Sequence, residues 1–335
     1  MTDKTAQPFH ADSIVIDAVC PLVMHDPRYL DWYREGGVTA LAPTVGGWED
    51  ARTTLNCIAA WQRLLREREG LLLVREARDI EIAKEGGSLG IYLHLQGTDP
   101  IEDNLDLIDL YKALGVGVIQ LTYNIKNRVG DGCEERTDAG LSRFGIKLIE
   151  RLNQTQIIVD CSHTGLRTSL EAIECSKAPV ILSHANLASV HRSARNVSDE
   201  LIKAIAQSGG VIGVAGFPAF VADSTAPSLD QFVTHIDGIV QLVGIDHVGL
   251  GIDYYWGQVG VASDQDALDT YNKLVSAGRW SSAYPPPPHH YPAGIKTPRE
   301  LPNLTGRLVE RGYRENDVRK ILGLNWLRIM KAVWG

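Results

Sequence analysis

The segments IIVDCSHTG at 157–165 and PVILSHAN at 179–186 decide how the chain is read. Each is an apolar, β-branched run that stops at Ser-His, which puts His163 and His184 at the ends of two strands about one βα unit apart. In a parallel barrel the strand ends of one rim carry the chemistry, so both imidazoles face the same place. One such histidine reads as a strand-end hydrogen bonder. Two at matching ends read as a seat for a metal such as zinc.

Working outward, the same alternation recurs. Apolar strands are expected at Ser13–Val19, Val38–Val45, Leu89–Leu95, Val116–Thr122, Val211–Ala215 and His247–Ile252. Amphipathic helices separate them, for example at 49–68, 141–154, 199–208 and 229–243. With the two histidine strands this makes eight, which predicts an α/β fold of the (β/α)8 TIM barrel type over residues 1–335 as one domain. Leu71–Val74 is a further short apolar run, set aside as peripheral. The polar residues 1–12 read as a lead-in arm. Residues 256–300 read as an irregular excursion, because the run YPPPPHHYP at 284–292 precludes helix or central strand. A surface flap or subunit contact is expected there, with His289 and His290 solvated. The tail 301–335 reads as two helices.

The composition narrows the function classes. The chain has 335 residues, 44% hydrophobic and 22% charged, with net charge −8. That balance and the lack of a basic stripe argue against nucleic acid as a partner. No apolar run approaches the ~20 residues of a membrane span, and no secretion signal is visible, so no membrane partner is expected. The five cysteines are odd in number and show no CxxC pairing, which reads as reduced thiols and a cytoplasmic location. Neither GxGxxG nor a P-loop is present, so no nucleotide cofactor is indicated.

The expected rim supplies the candidate site. Asp253, at the end of the last strand, reads as a third metal ligand or as the base that takes a proton from water, and alternatively as a helix N-cap. Tyr123 reads as a hydrogen-bond donor to a developing oxyanion, or as an aromatic plug. Gln96, Tyr123 and the adjoining Asn124 are placed with the substrate. Arg195, on the loop after His184, is suited to hold a substrate carboxylate in bidentate fashion. The long loop IKNRVGDGCEERTDAG at 125–140 is weighed as a source of replacement ligands or a clamp against a solvated charged loop.

These stretches together resemble the membrane (renal) dipeptidase family, the M19 metallopeptidases of the amidohydrolase superfamily. The resemblance lies in GLSRFGIKLIERLN at 140–153, the two histidine segments, RNVSDELIKAIAQSGGVIGV at 195–214, GIDHVGLGIDY at 244–254 and GLNWLRI at 323–329. It implies a barrel with two zinc ions bridged by a glutamate and cleavage of dipeptides. It implies that His163 and His184 hold one zinc, that Asp253 handles the proton and that Arg195 meets the substrate carboxylate. The chain departs from the family where the first strand should end in His-x-Asp and reads Val19-Cys20-Pro21. It departs again where the bridging glutamate is Gln96, and where the substrate-polarising histidine is Tyr123. The expectation is therefore one zinc ion or none, with Cys20, Cys133 or the rim acids as substitutes. The leading function is a mononuclear hydrolase of a small carboxylate-bearing amide or dipeptide-like substrate, as a homodimer. The alternatives are a lyase, decarboxylase or deformylase on the same barrel, or a metal-free binding protein.

Overall fold

The computed structural model describes residues 6–24 and 26–335. Its strands run, in chain order, β1 (Ile16–Cys20), β2 (Ala40–Gly46), β3 (Leu71–Leu73), β4 (Leu89–Ile91), β5 (Leu93–Leu95), β6 (Val116–Gln120), β7 (Ile158–Asp160), β8 (Val180–Ile181), β9 (Ile212–Val214) and β10 (Val248–Leu250). The sheet order is β8-β7-β6-β5-β2-β1-β10-β9, parallel throughout. β8 returns to β9 through the parallel bridge Leu182–Ile212 and the hydrogen bond from Gly213 N to Leu182 O at 2.8 Å, so the barrel closes. Strands β4 and β5 share one stave, interrupted at Tyr92, which leaves eight staves as expected. β3 pairs only with β4 and stays outside the ring. The protein is a (β/α)8 barrel.

Alternation along the strands divides the core. Leu93, Leu95, Ile119 and Val159 pack outward against the helices, while Ile16, Ala18, Ala42, Tyr92 and Val118 belong to an inner cluster. The tail closes the bottom of that inner cluster. Helix Asn325–Trp334 brings Trp326 and Trp334 against the strands, with Trp326 Nε1 donating to Leu250 O at 3.0 Å and Trp334 Nε1 to Gly117 O at 3.3 Å. A Cβ on Gly117 would lie 2.5 Å from the Trp334 ring, so this strand position has no room for a side chain.

Two expectations need correction. Residues 6–12 are not a loose arm: Ala6–Asp12 is helical, and His10 bonds Thr305 Oγ1 and Gly36 O. Residues 1–5 lie outside the described residues. The excursion is not wholly irregular either. Asp264–Ser276 is a helix, capped by Ser263 accepting from Asp266 N, a start signal the proline run overshadowed. The excursion folds back over the barrel mouth. Trp280 Nε1 donates to Tyr123 Oη at 3.1 Å, and Asn124 Nδ2 donates to Arg279 O at 2.9 Å. His289 is buried against Tyr255 instead of solvated. No helix among the described residues is long and apolar enough to cross a membrane.

Candidate functional site

The two histidine strands deliver their side chains as the sequence predicts. His163 and His184 are buried, and their Nε2 atoms face each other at 2.8 Å. Backbone strain gathers here. Asn124, His163 and Asp253 all adopt positive φ, at 60°, 59° and 63°. Non-glycine residues rarely do so, and such strain persists where surrounding contacts enforce it, commonly at functional sites.

Hydrogen bonds fix which nitrogen of each imidazole carries its proton. Asn124 Nδ2 donates to Arg279 O, so Asn124 Oδ1 is the atom 2.6 Å from His163 Nδ1. A carbonyl oxygen only accepts; His163 therefore holds its proton on Nδ1 and presents a lone pair at Nε2. On the other side Ser183 Oγ donates to Asp160 Oδ2 at 2.5 Å and lies 2.8 Å from His184 Nδ1. The hydroxyl has one hydrogen and gives it to the carboxylate, so His184 Nδ1 must donate to Ser183 and its Nε2 is also bare. Two lone pairs thus oppose each other at hydrogen-bond distance, a repulsion that a cation seated beside both would relieve. A proton is disfavoured, because burial first, and then the charge of Arg195, hold both imidazoles well below their ordinary pKa.

The two imidazoles are the only pair of bare ring nitrogens that this hydrogen bonding brings together among the described residues. Among the described residues no group of three or more His, Cys, Asp or Glu is placed to hold a metal. The proposed substitutes are engaged elsewhere. Cys20 Sγ turns to Asp17 O at 3.7 Å, and burial raises its thiol well above the usual range. Burial pushes Cys133 to about 12. The loop acids hold the loop itself: Glu134 accepts from Tyr284 Oη, Glu135 from Lys126 N and Arg136 N, and Asp138 from Arg167 N. Gln96 is buried at the end of its stave, and its side-chain amide makes no hydrogen bond among the described residues.

Three further predicted residues come together around the pair. The Tyr123 ring stacks on His163 with centroids 4.1 Å apart and planes at 20°. Its hydroxyl oxygen accepts from Trp280, which leaves the hydrogen free to donate, and burial raises its pKa so that it stays protonated. Arg195 is 1% exposed. Its Nη2 donates to His184 O at 2.7 Å and its guanidinium lies over Phe220, yet among the described residues no carboxylate lies within ion-pair distance and Nε is unpartnered. A buried cation without an anion is costly, so the position asks for an anionic ligand. A cavity of about 310 Å³ lined by His163, Arg195, Cys133 and Asn196 opens onto it. Asp253 starts no helix, which removes the N-cap reading. Its carboxylate has no hydrogen bond among the described residues, and burial pushes it up to about 8 against the pull of Arg195.

Asn124 differs from expectation. Both of its amide atoms are engaged, Nδ2 with Arg279 O and Oδ1 with His163 Nδ1, so it contacts one of the two site histidines. Sequence reasoning also missed Asp160, Ser183 and His94. Asp160 is fully buried; burial works against its charge, but the contacts with His94, His184 and Ser183 outweigh that and hold it well below the usual carboxylate range. The signal was present as an Asp three residues before His163, and as a histidine in the middle of an otherwise apolar strand, LGIYLHL.

The family model for membrane dipeptidase (peptidase family M19) matches residues 27–277 and 286–334. An uncharacterised dipeptidase of Schizosaccharomyces pombe is 28% identical over 84% of this chain, and dipeptidase verJ of Clonostachys rogersoniana is 27% identical over 85%. The chain spans 62% and 66% of those two relatives' lengths. A crystal structure of an amidohydrolase from Pseudomonas aeruginosa is 37% identical, with TM-score 0.87 and coverage of 98% of this chain and 99% of that one.

Proposed function

The chain belongs to the membrane dipeptidase family, peptidase family M19, and we propose on that premise that it hydrolyses a small dipeptide-like amide bearing a free carboxylate, with one zinc ion held by His163 and His184. The observation that carries this reading is the pair of opposed Nε2 lone pairs beside a buried arginine that lacks an anion. Zinc at that position would supply Lewis acidity, lowering the pKa of water to near ~7 and polarising a carbonyl. The chain's own residues do the rest. Arg195 fixes the substrate carboxylate from the cavity side. Tyr123 donates its free hydroxyl hydrogen to the oxygen on which charge develops. Asp253 takes a proton from the attacking water and returns it to the leaving nitrogen. Trp280, Arg279 and Tyr284 hold the excursion over the mouth and so limit access of bulk water. We place the protein in the cytoplasm as a homodimer; its five unpaired cysteines support the first, and light scattering tests the second.

The test is hydrolysis of a panel of dipeptides and N-acyl amino acids by zinc-loaded protein. Turnover of free-acid dipeptides, and none of their C-terminal amides, supports the reading. Release of carbon dioxide or formate with no peptide cleavage overturns it. Tyr123→Phe is expected to lower kcat by about 10²-fold with little change in KM, the size typical of one lost oxyanion donor.

The pH profile follows from Asp253. It must be ionised to accept a proton, so kcat/KM should rise about tenfold per pH unit below about 8 and level off above it. The same shift affects stability with a definite sign. Asp253 binds its proton more tightly in the folded state than at the ordinary value of 3.8, so stability falls as pH rises between that value and about 8. Asp253→Asn should make this slope shallower in thermal melts at pH 5, 6 and 7, the remainder including Asp17, which burial raises to about 7. An unchanged slope would remove Asp253 as its source.

A further inference from the structure

We propose that Asp160 and Ser183 are positioning residues that set the proton of His184 on Nδ1, keeping its Nε2 free for an ion; this rests on the reading of His163 and His184 as the ion's ligands. Asp160 sits at the end of β7. Its Oδ1 accepts from Ser162 N and Ser183 N, each at 2.9 Å. Its Oδ2 receives the Ser183 hydroxyl at 2.5 Å and lies 3.3 Å from His94 Nε2. His94 is fully buried, and this approach to Asp160 is its only polar side-chain contact among the described residues. Ser162 Oγ adds a contact to Ser183 Oγ at 3.2 Å and accepts from His184 N at 3.0 Å.

Each link has one direction. A carboxylate accepts and cannot donate, so the single Ser183 hydrogen points to Asp160. Ser183 Oγ is then an acceptor toward His184, and His184 has no alternative to carrying hydrogen on Nδ1. Asn124 imposes the same tautomer on His163 from the other side. The chain of contacts therefore trades a hydrogen bond that the two imidazoles could make with each other for a paired lone-pair seat. Metal-bound histidines commonly have such outer partners on the other ring nitrogen, and their loss costs about 10- to 100-fold in metal affinity.

Asp160→Asn reverses one link without removing the scaffold. The amide oxygen still serves both backbone N–H groups, while the amide nitrogen now donates to Ser183 Oγ. The hydroxyl hydrogen turns to His184 Nδ1, the imidazole changes tautomer, and Nε2–H donates to His163 Nε2 across the 2.8 Å gap. The variant should prefer to be empty.

The experiment uses full-length wild type, Asp160→Asn, Ser183→Ala and Ser183→Thr. Imidazole tautomers are read by nitrogen-15 NMR of metal-free protein, zinc affinity by competition with a chromophoric chelator, and stability by melting of metal-free protein. In wild type both site histidines should carry hydrogen on Nδ1. In Asp160→Asn the proton of His184 should move to Nε2 and zinc affinity should fall 10- to 100-fold in a protein that still melts cooperatively, at some cost in melting temperature from the lost carboxylate. Ser183→Ala should also lose affinity, and Ser183→Thr should keep it. Wild-type His184 already protonated on Nε2 overturns the proposal whatever the variants do, as does equal zinc affinity in wild type and Asp160→Asn. Wild type that takes up no zinc overturns the ligand reading instead, while the tautomer in the metal-free protein still decides this one.

Discussion

Arg195→Met lowers kcat/KM for a free-acid dipeptide by about 30- to 3,000-fold, nearly all of it in KM, and leaves the metal-free protein as stable as before or more so. Removing one partner of a buried, hydrogen-bonded charge pair costs about 2–5 kcal/mol, and each ~1.4 kcal/mol is tenfold in affinity. The loss falls on KM because the carboxylate is bound alike in the ground and transition states. The stability effect has the opposite sign for a stated reason. Without a ligand the guanidinium is buried with one carbonyl acceptor and, among the described residues, no carboxylate within ion-pair distance. Replacing an uncompensated buried charge by an apolar chain of similar length is neutral or favourable. Two measurements separate this from damage to the fold: a thermal melt, and the ratio of activity on a dipeptide to that on its C-terminal amide. The ratio should collapse toward one in the variant. A large drop in melting temperature with an unchanged ratio would make Arg195 a structural residue.

His184→Ala has the other large effect. It removes one of the two converging nitrogens and the Nδ1–H that donates into the Ser183–Asp160 chain. Metal-ion catalysis contributes several kcal/mol of transition-state stabilisation, so kcat/KM should fall by at least about 10³-fold, and added zinc should not restore it. The loss should appear in kcat, unlike that of Arg195→Met. Because the proposed site offers two protein nitrogens among the described residues, where catalytic zinc sites usually have three protein ligands, bound zinc should exchange readily with chelators. Full turnover in His184→Ala would exclude the pair from the chemistry.

Much of this was legible before any coordinates. Strands β7 and β8 were visible because buried parallel strands are continuous β-branched runs, and the Ser-His endings marked their functional rim. The peripheral status of Leu71–Leu73 was also visible from its shortness. The helix Asp264–Ser276 was not, because the neighbouring prolines dominated the reading although Ser263 and Asp266 carried a start signal. The two strand-end histidines were legible; the groups that contact them were less so. Asn124 meets His163 only because its other amide atom is held by Arg279, 155 residues away, and no local pattern encodes that. Asp160 and His94 lie on different staves, and their contact follows from barrel closure and register rather than from spacing. The same holds for the excursion. Its prolines predicted that it would avoid helix and sheet, but its seat over the mouth depends on Trp280 and Tyr284 finding Tyr123 and Glu134.

The most direct measurement is zinc stoichiometry by equilibrium dialysis and inductively coupled plasma mass spectrometry, on wild type and His163→Ala in parallel. One zinc per chain in wild type, absent from the variant, is the predicted result. Two per chain, none at any zinc concentration, or one retained equally in both proteins would contradict a single ion seated on His163 and His184.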